Sequence, residues 1–278
     1  MESFFLMAVL AAAGGVVVEP AANMYSKPDP DADVVSQAIY GSNIALLEEQ
    51  GGWFKARTPD DYTGWMPASS FLRAREPYGE RGRVAQVESL FANLYREASV
   101  TKHRPLLTVP FETRLEVTAG PDDSGRRWIP VRLPDDRQAW VQRGDVAFDP
   151  PPLSIPETIA LARRFLGLPY LWGGRSSFGY DCSGFTQMLC RRRGILIPRD
   201  AGPQARRGGM TPVEQADLQP GDLLYFGGST GKITHTGMFT GGGEFIHFTT
   251  HERPVAQISR LDDPYWTGLF VCARRPRQ

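Results

Sequence analysis

A cysteine stands at the start of a predicted helix in the stretch "GYDCSGFTQMLCRRRG", residues 179–194. Asp181 is a residue type that caps helix N-termini, apolar residues follow at helical spacing, and Gly194 ends the helix. Cys182 therefore lies in the first turn, where unpaired N–H groups and the helix dipole favour a thiolate. We expect the pKa of Cys182 to be lowered toward that of a reactive nucleophile, provided that capping bonds hold the adjoining Asp181 carboxylate.

Two of the four histidines could serve that thiol as a base. His235 and His247 flank three glycines in "HTGMFTGGGEFIHF", which predicts a β-hairpin turning at those glycines. We expect Thr240 to pair with Glu244 across this turn. In that register Gly237 faces His247, and His235 is a diagonal neighbour on the same face, about 7 to 8 Å away. A turn of two or four residues would instead place the histidines on opposite faces.

The pairing suggests His235 as general base and His247 as the group that orients it through the other ring nitrogen. Zinc bound by Cys182, His235 and His247 is the competing interpretation, although no Cys-x-x-Cys or His-x-x-x-His spacing supports it. Cys190 lacks the helix-start position and is expected to pack. We expect no metal and no cofactor.

A proline-rich segment, "FDPPPLSIPE", separates two parts of the chain that differ in their residue patterns. After it, Ser154 and Glu157 form a capping box that opens a helix. The segments "GDLLYF", "THTGMF", "EFIHF" and "LFVCARR" then predict strands. Residues 150–278 are thus expected to form an α+β domain with helices first and an antiparallel sheet after.

The first half contains a degenerate repeat. The segment "EPAANMYSKPD" matches "SLFANLYREAS", and "GGWFKARTPDDYTGWMPASSF" matches "RRWIPVRLPDDRQAWVQRGDVAF". Short alternating runs separated by Pro-Asp-Asp turns predict small antiparallel barrels. The pattern resembles the bacterial SH3-type repeat, which implies one SH3-like barrel over 16–76 and a second over 83–149.

Composition excludes several classes. The 278 residues are 41% hydrophobic and 11% aromatic, and no apolar run approaches the ~20 residues of a membrane span. Acidic and basic residues are equal in number, so no nucleic-acid partner and no stable membrane insertion are expected. In the N-terminal segment 1–15, an apolar stretch and three alanines fit a signal peptide, but its first residues lack Lys and Arg. Export to the cell envelope and a cytoplasmic location both stay open, since these residues could equally form a first strand or a frayed start.

The segments "LPYLWGGRSSFGYDCSGFTQMLCRRRGILIPRDAGPQ", "LQPGDLLYF" and "THTGMFTGGGEFIHF" occur in this order. Their combination resembles the NlpC-type cell-wall cysteine peptidases, over residues 155 to about 275. That resemblance implies a papain-like α+β fold with Cys182 as nucleophile, His235 as base and His247 as third member. It also places the backbone N–H of Cys182 in the oxyanion hole.

Two SH3-type repeats ahead of such a domain resemble the branch called dipeptidyl-peptidase VI. The resemblance implies hydrolysis of the γ-D-glutamyl bond to diaminopimelate or lysine in muropeptides that carry a free N-terminal L-alanine. Tyr62, Asp200 and Ser183 would then surround the amine, with Trp172 as a pocket wall. An acidic residue of the family is replaced here by Lys27, which weakens the free-amine expectation. The alternatives are a turn aromatic for Tyr62, a helix cap for Asp200 and a core residue for Trp172.

Two other functions stay open at this point. One is an acyltransferase or amidase that uses the same triad, although the order cysteine, histidine, histidine follows that of the peptidases. The other is a catalytically silent protein that binds the cell wall, which would be expected to lack the cysteine or the base. The expected partner is a muropeptide or peptidoglycan stem peptide, and a monomer is favoured.

Overall fold

The computed structural model describes residues 14–74, 76–80, 82–118, 125–206, 210–228 and 231–277. Residues 1–13, for which a signal peptide was one interpretation, lie outside the described residues. Within the described ranges, no helix is both long and apolar enough to cross a membrane.

The first part of the chain is a seven-stranded antiparallel sheet in the order β3-β2-β6-β5-β4-β1-β7. Its strands are β1 (Gly14–Val17), β2 (Ala21–Tyr25), β3 (Val34–Ile39), β4 (Asn43–Gln50), β5 (Trp53–Arg57), β6 (Thr63–Pro67) and β7 (Phe71–Ala74). Alternate side chains of these strands face one apolar core, in which Met24, Phe54 and Met66 are buried.

The second part repeats that order. Its strands are β8 (Val84–Val87), β9 (Phe91–Leu94), β10 (Leu107–Pro110), β11 (Arg114–Val117), β12 (Trp128–Arg132), β13 (Gln138–Gln142) and β14 (Val146–Phe148). They form a pair β10-β9 and a sheet β13-β12-β11-β8-β14, which a bridge between Tyr95 and Trp140 connects. Each strand thus has a counterpart in the first part, as the sequence repeat predicts.

The same aromatic contact recurs in both parts. Tyr25 lies 5.4 Å from Trp53 at 90°, and Tyr95 lies 5.3 Å from Trp128 at 85°, between ring centroids. Edge-to-face packing of this kind is a favoured arrangement of aromatic pairs. The conserved contact geometry shows that the aligned residues occupy equivalent positions.

The third part combines helices with a six-stranded antiparallel sheet in the order β17-β22-β18-β19-β20-β21. Its elements are α1 (Ile155–Arg163), β15 (Arg175–Ser176), β16 (Gly179–Tyr180), α2 (Cys182–Arg192), α3 (Ala201–Arg206), β17 (Met210–Val213), β18 (Leu223–Gly227), β19 (Ile233–Gly241), β20 (Glu244–Thr249), β21 (Val255–Arg260), α4 (Pro264–Leu269) and β22 (Phe270–Pro276). The predicted capping box of Ser154 and Glu157 begins α1. The sequence did not predict the short hairpin β15–β16 or helix α4.

Helix α2 is the central element of this part. Every residue of it except Arg191 is buried, and it packs against β19 and β20. Cys190 is fully buried in the apolar core, as expected. At its C-terminal end, Arg191 pairs with Glu112 at 2.6 Å and Arg192 with Glu88 at 3.1 Å, so the arginine run also holds the second part against the third.

The turn between β19 and β20 differs from the predicted one. Gly241, not Thr240, pairs with Glu244, and the turn consists of Gly242 and Gly243. The predicted pairing of Thr240 with Glu244 is therefore wrong. All three glycines have positive φ, of 100°, 61° and 79°, which glycine adopts without steric cost. A two-residue turn of this kind also matches the twist of the flanking strands.

The histidines nevertheless share a face. A bulge at Thr240 inserts one residue into β19 and restores the parity that a two-residue turn would otherwise reverse. Met238 consequently pairs with Ile246, and a Cβ added to Gly237 would lie 3.0 Å from the Cβ of His247. The predicted juxtaposition of Gly237 and His247 is confirmed, although the turn that produces it is different.

Candidate active site

Cys182 is the first residue of α2, and it is buried from solvent. Its N-cap is Asp181, whose Oδ1 accepts a hydrogen bond of 2.7 Å from the Gly184 N–H. Burial raises the pKa of the Cys182 thiol to about 12, and the Asp181 charge adds to this effect. Hydrogen bonds from the backbone of Thr236 and Ser183 act in the opposite direction.

The expected lowering of this pKa is therefore wrong. A helix N-terminus contributes about 0.3–1 kcal/mol at an exposed position, whereas full burial can shift a pKa by about 3–5 units. Desolvation thus outweighs the dipole at Cys182. The raised pKa favours the protonated thiol, which must transfer its proton before it can act as a nucleophile.

Asp181 is neutralised by a residue that sequence reasoning missed. Arg199 donates from Nη1 to Oδ1 at 2.9 Å and from Nη2 to Oδ2 at 2.7 Å. The guanidinium is buried and also donates to the hydroxyls of Ser183 at 3.0 Å and Ser36 at 3.1 Å. A buried carboxylate beside a nucleophile requires a cation, and the arginine of "PRDAG" was the available signal.

The two predicted histidines are in direct contact. Nε2 of His235 lies 2.7 Å from Nδ1 of His247, and Nε2 of His247 lies 3.0 Å from Oγ of Ser259. Among the described residues, none hydrogen-bonds Nδ1 of His235. The backbone of Thr236, the residue after His235, hydrogen-bonds the Cys182 thiol, so the strand that carries His235 lies against the cysteine.

Burial keeps both imidazoles neutral. It lowers the pKa of His235 to about 3, and it lowers the pKa of His247 well below its ordinary value, with the neighbouring His235 contributing. Trp266 produces much of this apolar environment, since its ring centroid lies 5.2 Å from that of His235 and 4.9 Å from that of His247. Sequence reasoning missed Trp266 and Ser259, which lie on α4 and β21, beyond the predicted hairpin.

The residues expected around an amine also meet. The Tyr62 hydroxyl donates to Oδ1 of Asp200 at 3.5 Å, although the two residues lie in different parts of the chain. Burial raises the pKa of Tyr62 to about 12, with the Asp200 charge contributing, and burial likewise raises the pKa of Asp200. The Ser183 hydroxyl accepts from Arg199, the residue that precedes Asp200, and donates to Asp181.

The remaining expected pocket residues are placed as follows. Trp172 is 70% exposed, which excludes the core interpretation for it. Lys27 is also exposed, in the loop after β2. Asp200 precedes α3, but the side-chain bond that the structure gives it is to Tyr62 rather than to the helix.

Two cavities of the described residues lie apart from the cysteine. A cavity of about 450 Å³ lies beside Glu112 and Arg191, and one of about 1030 Å³ lies beside Arg57 and Arg73, both away from Cys182. Among the residues that the structure describes, no group of three or more His, Cys, Asp or Glu side chains could hold a metal ion. The chemistry of the side chains, rather than cavity size, locates the candidate site.

Comparison with known proteins matches both ends of the chain. Residues 167–275 match the NlpC/P60 family, and residues 24–71 match the bacterial dipeptidyl-peptidase Sh3 domain. The chain is 35% identical to a gamma-D-glutamyl-L-lysine dipeptidyl-peptidase of Bacillus cereus over 86% of this chain and 74% of that protein. It is 31% identical to the protein of the same name from Bacillus subtilis, over 88% and 82%. A crystal structure of an NlpC/P60 family protein from Bacillus cereus superposes with a TM-score of 0.82 at 29% identity, over 94% of this chain and 99% of that chain.

Proposed function

The chain belongs to the NlpC/P60 family of cysteine peptidases, and on that premise we propose that it hydrolyses the bond between the γ-carbonyl of D-glutamate and a diamino acid in peptides derived from peptidoglycan. The observation that carries the proposal is the contact of His235 with His247 beside the helix that begins at Cys182. The relatives named for a γ-D-glutamyl-L-lysine bond support the substrate class. Lysine and diaminopimelate both fit the leaving group.

We assign Cys182 as nucleophile, His235 as base and His247 as the group that orients it. His235 accepts the thiol proton, and the sulfur forms a bond to the carbonyl carbon while the backbone N–H of Cys182 stabilises the oxyanion. The C–N bond then breaks as His235 returns the proton to the leaving amine. Water, deprotonated by His235, attacks the thioester and releases the carboxylic acid and the free thiol.

The contact between the histidines defines where the protons must lie on the two rings during these reaction steps. When His235 is protonated, its Nε2–H must donate to Nδ1 of His247. His247 must then carry its own proton on Nε2 and donate it to Oγ of Ser259, at 3.0 Å. This tautomer stabilises the imidazolium that forms at His235.

We further propose that Tyr62, Asp200 and Ser183 bind the free N-terminal ammonium of the substrate, with Trp172 as an outer wall. The carboxylate of Asp200, close to the Tyr62 hydroxyl at 3.5 Å, supplies a charge opposite to that of an ammonium. A stem peptide still attached to glycan presents an amide there and loses this charge pairing. The exposed Lys27 makes no contribution in this proposal.

The same proposal extends to the fold. Residues 83–149 form a second SH3-type barrel, supported by the strand order and the Tyr–Trp contact that they share with the first. The third part is a papain-like α+β domain, supported by the thiol helix packed on an antiparallel sheet that carries both histidines. A single chain supplies the nucleophile, the histidines and the amine pocket, so the proposed site needs no residue from a second copy.

Cleavage of L-Ala-γ-D-Glu-L-Lys and its diaminopimelate counterpart, with products identified by mass spectrometry, tests the function. We expect L-Ala-γ-D-Glu and the free diamino acid. Cleavage at another bond would overturn the proposed specificity, and transfer of the acyl group to an added amine in place of hydrolysis would favour the acyltransferase alternative. Binding without turnover would favour the wall-binding alternative.

A further inference from the structure

The chain contains the same tight turn twice, once in each repeat. In the first, residues 58–62, the Thr58 N–H donates to the Tyr62 carbonyl at 3.0 Å. In the second, residues 133–137, the Leu133 N–H donates to the Arg137 carbonyl at 2.8 Å. Both turns contain an aspartate with φ of 63° at the same position. The backbone of the two turns is therefore equivalent, and only the side chains differ in what they contact.

The aspartates at the tips of these turns differ in their contacts. Asp135 binds within its own turn, where its carboxylate accepts from Nε of Arg137 at 2.7 Å. Asp60 instead reaches the third part of the chain. Its Oδ2 accepts from Nε2 of Gln187 at 3.0 Å, and its Oδ1 lies 3.4 Å from the guanidinium of Arg175. The Asp60 side chain is only 10% exposed, against 34% for Asp135.

Gln187 connects this anchor with the Asp200 segment. It lies on α2, the helix that begins at Cys182, and its Nε2 also donates to the Ile197 carbonyl at 3.2 Å. Its two amide hydrogens thus hold the turn that carries Tyr62 and the segment that leads to Asp200. Arg175 completes the group, because its Nε donates to the Gln187 carbonyl oxygen at 3.3 Å.

Resting on the proposed amine pocket, we propose that Asp60 is a positioning residue for substrate specificity. It seats the first-repeat turn on α2 and so holds the Tyr62 hydroxyl opposite Asp200. Asp60 lies behind the pocket and acts through Tyr62. In the second repeat, the equivalent aspartate hydrogen-bonds an arginine of its own turn and, among the described residues, contacts no other part of the chain in this way.

The measurement is the ratio of kcat/KM for L-Ala-γ-D-Glu-L-Lys to that for its N-acetylated form, in wild type, Asp60→Ala and Tyr62→Phe. We expect Asp60→Ala to lower this ratio about tenfold, through a higher KM for the free-amine substrate, since a charged hydrogen-bonded anchor is lost. Asp60→Asn keeps an acceptor for Gln187 without the charge, so its ratio should lie between those of wild type and Asp60→Ala. Asp135→Ala, at the equivalent position of the second turn, should leave the ratio unchanged.

A double variant separates positioning from general destabilisation. If Asp60 acts through Tyr62, Asp60→Ala combined with Tyr62→Phe should have the ratio of Tyr62→Phe alone. Equal losses with both substrates, or additive losses in the double variant, would overturn the proposal. A wild type that shows no preference for the free amine would instead refute the amine pocket itself. Thermal unfolding of each variant identifies any that fails to fold, in which case Asp60→Asn provides the test.

Discussion

Arg199 and Asp181 form a two-point ion pair directly beneath the first turn of the helix that carries Cys182, with N···O distances of 2.9 and 2.7 Å. Both side chains are buried, so neither charge has water as an alternative partner. The ion pair explains how an aspartate can lie next to the nucleophile, because the guanidinium neutralises its charge. It also fixes Ser183, whose hydroxyl accepts from the same guanidinium.

Removing one member of this pair should be far more costly than removing both. Arg199→Met leaves Asp181 buried and unpaired, and we expect a loss of about 3–5 kcal/mol in the free energy of unfolding. Combining Arg199→Met with Asp181→Asn should recover much of that loss, because no buried charge remains. Urea unfolding of the single and the double variant measures this, with Arg260→Met as a control at an exposed ion pair. Equal losses in the single and double variants would contradict the account.

Cys182→Ala should abolish hydrolysis while the fold stays intact. The nucleophile forms the thioester, and no other group among the described residues occupies its position, so we expect kcat to fall by ~10⁴-fold or more. Cys190→Ala is the matched control, because it removes a buried thiol from the same helix, eight residues away. Its activity should remain close to that of wild type. Turnover by Cys182→Ala at the wild-type rate would end the assignment.

His235, His247 and Ser259 form a hydrogen-bonded series that begins at the base. We expect the loss of activity on substitution to become smaller along this series. His235→Ala removes the base, and we expect activity to be lost. His247→Ala should lower kcat by ~10²–10⁴-fold, because it removes the group that orients His235 and stabilises its imidazolium. Ser259→Ala should lower it by ~10-fold or less, because it affects only the tautomer of His247. Steady-state rates across pH check this order, and a larger loss at Ser259 than at His247 would contradict it.

Stability should depend on pH through His235. Burial lowers the folded-state pKa of His235 to about 3, whereas an unfolded histidine titrates near pH ~6.5. Between these values the unfolded state binds more protons, so the stabilising contribution is present above about pH 6.5 and is lost as pH falls toward 3. Each pH unit in that window costs about 1.4 kcal/mol for this group.

Comparison with His235→Gln isolates that contribution. The variant should lose less stability than wild type as the pH is lowered from about 6.5 toward 3, measured as urea unfolding at each pH. His103→Gln is the control, since His103 lies at the surface beside Glu97. A His235 variant with the wild-type pH dependence would show that the histidine is not held neutral by burial.

Local patterns predicted most of the candidate site. The helix start at Asp181 follows from spacing alone, whereas the shared face of His235 and His247 was predicted from a three-residue turn that the structure does not have. The predicted turn was wrong, but the predicted contact of the histidines was right. A bulge at Thr240 compensates for the turn being one residue shorter than predicted. Only a folded sheet decides between such equivalent registers.

Residues that act from distant segments could not be predicted in the same way. Ser259 lies on a different strand from His247, and Arg199 reaches Asp181 from the loop before α3. No periodicity connects such positions, since their proximity is a result of packing. Desolvation of the thiol is a further consequence of packing, and it reversed the expected pKa shift at Cys182.

The amine pocket makes the most specific demand on substrate. Acetylating the N-terminus replaces an ammonium by a neutral amide and leaves the Asp200 carboxylate without its charge partner. A hydrogen bond to a charged group contributes about 1.5–3 kcal/mol, and because Asp200 is exposed we expect the lower end, a roughly tenfold lower kcat/KM. Asp200→Asn should reduce that preference, because the amide no longer distinguishes the two ends by charge. Asp262→Asn changes an exposed aspartate of the same domain and should leave it intact. Equal rates for free and acetylated peptides in wild type would show that Tyr62 and Asp200 meet for another reason.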